Sequence, residues 1–125
     1  MTPVEQQFNI LRGYYGNAEL HRLPDSSHLI IIPSFQLPQG WSKETVSVRF
    51  VAPVGYPMAR PDCFWTDPEL RLANGNVPQA TGGNPIPHTP GQFLWFSWHV
   101  SAWSANVDNL LTYLNVIKRR LHDPR

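Results

Sequence analysis

From Thr45 to Phe50 polar and apolar side chains alternate without a break, with Thr45, Ser47 and Arg49 on one side and Val46, Val48 and Phe50 on the other. A period of two belongs to a strand with one wet face and one dry face. Such a strand cannot stand alone, so the chain must supply neighbouring strands and an apolar cover. The neighbours can be read in the flanking segments. Ala18 to Leu23 and His28 to Pro33, the second rich in β-branched isoleucine, read as adjacent strands joined through a Pro24-Asp25-Ser26 turn. Gly55-Tyr56-Pro57 and Arg60-Pro61 punctuate a turn before Cys63 to Thr66, which reads as a fourth, short strand.

The cover comes from the two ends of the chain. Val107, Leu110, Leu111, Leu114, Ile117 and Leu121 recur at helical spacing, with Ser104 or Asn106 as N-cap, Asp108 in the first turn and Pro124 past the end. Pro3 to Arg12 reads as a shorter helix with Val4, Phe8 and Leu11 on one face, stopped by Gly13 and Gly16. These elements predict one α+β domain over residues 1–125: a helix, a four-stranded antiparallel meander, a long irregular loop and a closing helix. A chain of 125 residues buries roughly two thirds of its unfolded surface, enough for an independent core.

Composition narrows the partners. With a formal net charge of +1 and scattered cations, the chain offers no nucleic-acid footprint. The one basic cluster, Lys118-Arg119-Arg120, sits where cations complement a helix C-terminus. The longest apolar run, Leu29 to Ile32, is too short to span a bilayer, and Met1 leads into polar residues without a signal-peptide pattern, so a cytoplasmic protein with no membrane partner is expected. A single cysteine, Cys63, excludes an internal disulfide and a multi-cysteine zinc site. His21, His28, His88 and His122 show no ligand spacing, so neither a metal nor another cofactor is expected. Gly82-Gly83 lacks the lysine of a phosphate-binding loop.

Two segments stand out from this frame. Residues 67–91 are rich in Pro, Gly and Asn, and a loop of that length inside a small domain is more often functional than idle. Phe93 to Trp103 alternates again: Leu94, Phe96, Trp98, Val100 and Ala102 are apolar, and Ser97, His99 and Ser101 lie between them. If this stretch is extended, one face is buried and the other presents two hydroxyls and an imidazole.

Several local motifs resemble the ubiquitin-conjugating (E2) superfamily. Tyr56-Pro57 followed by Pro61 is similar to the Tyr-Pro-x-x-x-Pro turn between the third and fourth strands of E2 proteins, and Trp103-Ser104-Ala105 is similar to the Trp-Ser-Pro-Ala segment ahead of their following helix. Leu37 to Trp41, Pro61 to Trp65, Phe96 to His99 and Trp103 to Leu110 resemble, more closely, the prokaryotic E2-like family E. The likeness runs from Val4 to Leu121. It implies an E2-like (UBC) fold and a place in a bacterial ubiquitin-like conjugation pathway, with an E1-like activating enzyme, a ubiquitin-like protein and a JAB-type peptidase as partners. Tyr56, Pro57, Pro61 and Trp103 are then the expected partner-binding residues.

The chain departs from the E2 pattern at its chemistry. No cysteine lies on the loop ahead of Trp103, and Asp67-Pro68-Glu69 stands in the region of the usual His-Pro-Asn. Ser97, six positions before Trp103, is the nearest nucleophile-type residue. A serine hydroxyl needs a neighbouring base, and His99 supplies an imidazole able to take and return a proton. Residues two apart on a strand share a side at about 6–7 Å, so the two side chains would have to turn toward each other. Ser97 and His99 are therefore the candidate catalytic pair for an oxyester with a ubiquitin-like C-terminus, with peptide N–H groups of the loop as oxyanion donors. The plainer alternative leaves both as polar-face residues of a catalytically inactive E2 variant that binds its partners as a scaffold. Cys63, between Asp62 and two aromatic residues, reads as a buried structural cysteine, since reactive thiolates need exposed electropositive surroundings.

Overall fold

The computed structural model describes residues 2–125. Its elements, in chain order, are α1 (Pro3–Tyr14), β1 (Glu19–Arg22), β2 (His28–Gln36), β3 (Thr45–Ala52), β4 (Phe64–Thr66), β5 (Thr81–Gly82), β6 (Leu94–Phe96) and α2 (Leu110–Leu121). The expected mixture of two terminal helices and an antiparallel sheet is present. The sheet is larger than the four-stranded meander read from sequence: six strands run in the order β1-β2-β3-β4-β6-β5. The two additional strands are β5, inside the long loop, and β6, within the alternating segment that follows it; β6 pairs with β4 and β5 with β6. A two-residue strand such as β5 carries too little periodic pattern to be legible in a Pro/Gly-rich stretch, whereas β6 falls within the alternation read from Phe93 to Trp103.

Helix α1 begins where its sequence says it should. Thr2 and Glu5 form a reciprocal capping box, and Pro3 occupies the first turn, where its missing N–H costs nothing. Val4, Phe8 and Leu11 turn inward. In β2 the register with β3 shifts between Ile32 and Phe35, the stretch that contains Pro33, so a bulge carries the strand past a residue unable to donate to the ladder.

Helix α2 starts later than its sequence suggests. Asn109, not Ser104 or Asn106, is the N-cap, in a reciprocal pair with Thr112. Ser104 instead closes a preceding turn, its N–H donating to the Asp108 carboxylate at 2.7 Å and its carbonyl accepting from Val107 and Asp108. Val107 consequently lies outside the helix and is 76% exposed, not part of the buried face.

Both helices pack on one face of the sheet. Ile30, Ile32, Val48, Phe50, Phe64 and Phe96 from the strands meet Phe8, Leu11, Leu110, Tyr113, Leu114 and Ile117 in one core. The opposite face carries Leu29, Trp65 and Trp95, and there the long loop lies across the sheet: Ile86 is buried against these residues and the Trp65 indole donates to the Asn84 carbonyl at 2.8 Å. Among the described residues no helix is long and apolar enough to cross a membrane.

Candidate functional site

The end of β6 positions Ser97. The strand leaves its ladder after Phe96, but the inward and outward alternation continues: Phe96 and Val100 are buried, Ser97 is half-buried and His99 and Ser101 are exposed. The expected single extended segment from Phe93 to Trp103 is thus hydrogen-bonded as a strand only over Leu94–Phe96. The Ser97 N–H donates to the Ala80 carbonyl at 2.8 Å, which fixes its backbone against the start of β5. On the other side, carrying the β4–β6 register one step past Phe64 and Phe96 puts Cys63 opposite Ser97. The Ser97 hydroxyl makes no hydrogen bond among the described residues.

His99 is held differently from what its spacing suggests. Its side chain is 54% exposed, and Nδ1 lies 2.8 Å from Oδ1 of Asp62, with no hydrogen bond to Ser97. A carboxylate on one ring nitrogen fixes the imidazole's orientation and, in the neutral ring, puts the proton on Nδ1 and leaves the Nε2 lone pair free. Asp62 is the residue that sequence reasoning missed. It stands 37 positions from His99, and the only sign of it was its place in the Pro-Asp-x-Phe-Trp motif.

Cys63 is half-buried beside the outer-face cluster of Trp65 and Trp95. Burial pushes its thiol up from the ordinary value and Asp62 adds to this, with the Trp95 indole opposing. It is half-buried, less enclosed than the buried cysteine expected from its neighbours in sequence.

Three of the four expected partner-binding residues, Tyr56, Pro57 and Trp103, form an internal clasp. The Trp103 indole donates to the Pro57 carbonyl at 2.8 Å, and its ring meets that of Tyr56 at 6.0 Å between centroids. Tyr56 is buried, follows Gly55 and precedes Pro57 through a cis peptide, and its hydroxyl donates to the Gln7 side-chain carbonyl of α1. Burial raises its phenol well above the ordinary range, with Asp108 adding to this. Pro61 is buried, while Pro57 and Trp103 keep part of their surface. The clasp therefore ties α1, the β3–β4 turn and the approach to α2 together, and of the four only Pro57 and Trp103 offer appreciable surface to another protein.

Asp67-Pro68-Glu69 is structural. The Asp67 carboxylate accepts from the N–H and hydroxyl of Ser47 at 3.0 and 2.5 Å, with Lys43 at 3.5 Å and Glu69 taking the Lys43 ammonium at 2.6 Å. No group of three or more His, Cys, Asp or Glu among the described residues is placed to hold a metal ion.

The basic trio at the end of α2 also divides. Lys118 and Arg119 are exposed, whereas Arg120 is 1% exposed and roofs the core. Its guanidinium donates to the carbonyls of Gln79, Asp123 and Arg125 at 2.9 to 3.0 Å and lies 5.3 to 5.9 Å from the ring centroids of Phe96, Trp98 and Trp41. Burial, with Arg125 nearby, lowers its pKa, and Asp123 opposes. Through Gln79 it holds the segment whose next carbonyl fixes Ser97.

No curated protein and no solved structure matches this chain. A family model does: the description prokaryotic E2 family E matches residues 14–123, spanning the whole sheet, the Ser97–His99 segment and α2. The chain therefore belongs to the prokaryotic E2 family E.

Proposed function

We propose that this protein takes the C-terminal acyl group of a ubiquitin-like protein from an E1-like activating enzyme and carries it as an oxyester on Ser97. The family supports an E2-like role in ubiquitin-like conjugation. The observation that carries the finer reading is the Asp62–His99 pair. It leaves the second imidazole nitrogen free, two residues from a serine whose hydroxyl no other group engages.

In the step envisaged, Ser97 Oγ attacks the carbonyl carbon of the thioester presented by the activating enzyme, and the carbon–sulfur bond breaks. The hydroxyl proton passes to His99 Nε2 and from there to the departing sulfur. Asp62 orients the ring through Nδ1, and Arg120 acts at one remove by holding Gln79. Ser97 and His99 are apart in the free chain, and such bonds commonly close only when the substrate tail enters. A JAB-type peptidase in the same pathway would act on the ubiquitin-like protein or its conjugates.

Reconstitution with an E1-like activating enzyme and a ubiquitin-like protein from the same source should give a hydroxylamine-labile adduct. The adduct should persist in Cys63→Ala and vanish in Ser97→Ala. His99→Ala and Asp62→Ala should slow its formation, the first by about a hundredfold, within the range of general-base catalysis. An adduct that survives Ser97→Ala and is lost in Cys63→Ala overturns the assignment.

A second reading has its own observation: His99 is hydrogen-bonded to Asp62 and not to Ser97. On that reading the chain is a scaffold that binds the activating enzyme or the ubiquitin-like protein without carrying it. It predicts a stable complex by sedimentation and no adduct in any variant.

A further inference from the structure

Beside His99, on the side of α2, a groove of about 300 Å³ runs between the segment 98–101 and the last turns of the helix. Trp98, Val100 and Val116 give it an apolar wall, and His99, Ser101, Arg119, Arg120 and Asp123 give it a polar one. The charge on that polar wall is unbalanced. Asp123, the one carboxylate there, is already engaged by the Arg125 guanidinium at 2.7 Å. Arg120 is 1% exposed and donates to the main-chain oxygens of Gln79, Asp123 and Arg125, and its Nε has no hydrogen-bond partner among the described residues.

The other donors around the groove are free as well. Among the described residues the Arg119 guanidinium and the Ser101 hydroxyl make no hydrogen bond, and the imidazole of His99 is engaged through Nδ1 alone. The backbone adds to this set. Past Trp98, whose N–H turns back to the Phe96 carbonyl, the N–H groups of His99, Val100, Ser101 and Ala102 have no partner among the described residues. An unpaired N–H beside a fixed cation is available to donate to an anionic oxygen.

We propose that this groove binds an anionic oxygen ligand, a carboxylate on a polypeptide, with Arg119 as its main charged contact, the Ser101 hydroxyl and unpaired backbone N–H within 99–102 as hydrogen-bond donors, and Trp98, Val100 and Val116 against its apolar part. The apolar wall favours a carboxylate carried on a short side chain or chain end over a fully hydrated phosphate. A free phosphate presents the same oxygen chemistry and is the alternative source. Binding here requires no covalent transfer, so it stands or falls separately from the oxyester on Ser97.

The test is titration of the intact ¹⁵N-labelled chain with N-acetylglycylglycine, its uncharged amide, and inorganic phosphate, at constant ionic strength. Saturable shifts of the amides of His99 to Ala102 are expected with the free carboxylate and not with the amide. Arg119→Gln should weaken this binding about tenfold, whereas Lys118→Gln, an exposed neighbour off the groove, should leave it unchanged. Saturation by phosphate in preference to the carboxylate keeps the anion site and reassigns its source. Shifts that grow linearly, that appear equally with the amide, or that persist unchanged in Arg119→Gln overturn the proposal.

Discussion

Arg120 shows how much a single side chain of this fold does beyond its charge. Sequence assigns it with Lys118 and Arg119 to the favourable end of a helix dipole, and its bonds to the Asp123 and Arg125 carbonyls agree with that. Its aliphatic stem and guanidinium also fill the space between Trp41, Phe96 and Trp98, a role only the tertiary structure discloses. Arg120→Met keeps the volume and leaves three carbonyls without their donor, so a loss of about 1–3 kcal/mol is expected in urea unfolding. Arg120→Lys should fall between the two, because an ammonium cannot reproduce the fork that reaches Gln79 and Asp123 together.

Helix α2 is fastened at both ends by residues distant in sequence. At its start the Gln7 side-chain carbonyl accepts from the Leu110 N–H at 3.1 Å as well as from Tyr56, so one residue of α1 joins the helix to the β3–β4 turn. At its end the Trp41 indole donates to the Leu121 carbonyl at 2.7 Å, and Gly40 makes that approach possible. Gly40 has φ +112°, and a Cβ there would lie 2.8 Å from Pro124. Gln7→Ala should therefore cost about 1–3 kcal/mol by leaving buried partners unmatched, measured by denaturant midpoint. The helical spacing places Val107 with the core residues, but it precedes the cap. Val107→Ser should change stability by less than about 0.5 kcal/mol, whereas Leu110→Ala, from a fully buried site, should cost about 2–5 kcal/mol. Spacing alone cannot separate these two positions, because the cap is set by which polar residue the preceding turn leaves available.

Over the whole molecule the sheet is locked to its long loop by charges that respond to acid. Burial pushes the Asp67 carboxyl up, but the Ser47 hydroxyl and N–H together with Lys43 outweigh it and hold the group below its ordinary 3.8. A folded pKa below the unfolded one gives stability that is full above the unfolded value and is lost as pH falls through the folded value. The urea midpoint should hence decline below about pH 4, and Asp67→Asn should flatten that acid limb while lowering the plateau near neutrality.

The sequence by itself determined the elements with a period long enough to read: β3, the core of β2, both helices, and the family signature running through Pro61 to Trp65 and Trp103 to Leu110. It also offered Ser97 and His99 as the candidate pair for the proposed chemistry. Only the tertiary structure decided where the loop 67–91 goes, because its two-residue strand forms by pairing with a partner and not by any local preference. The same holds for Asp62. A carboxylate 37 residues away becomes the partner of His99 when β4 and β6 lie side by side, and no spacing along the chain encodes that contact.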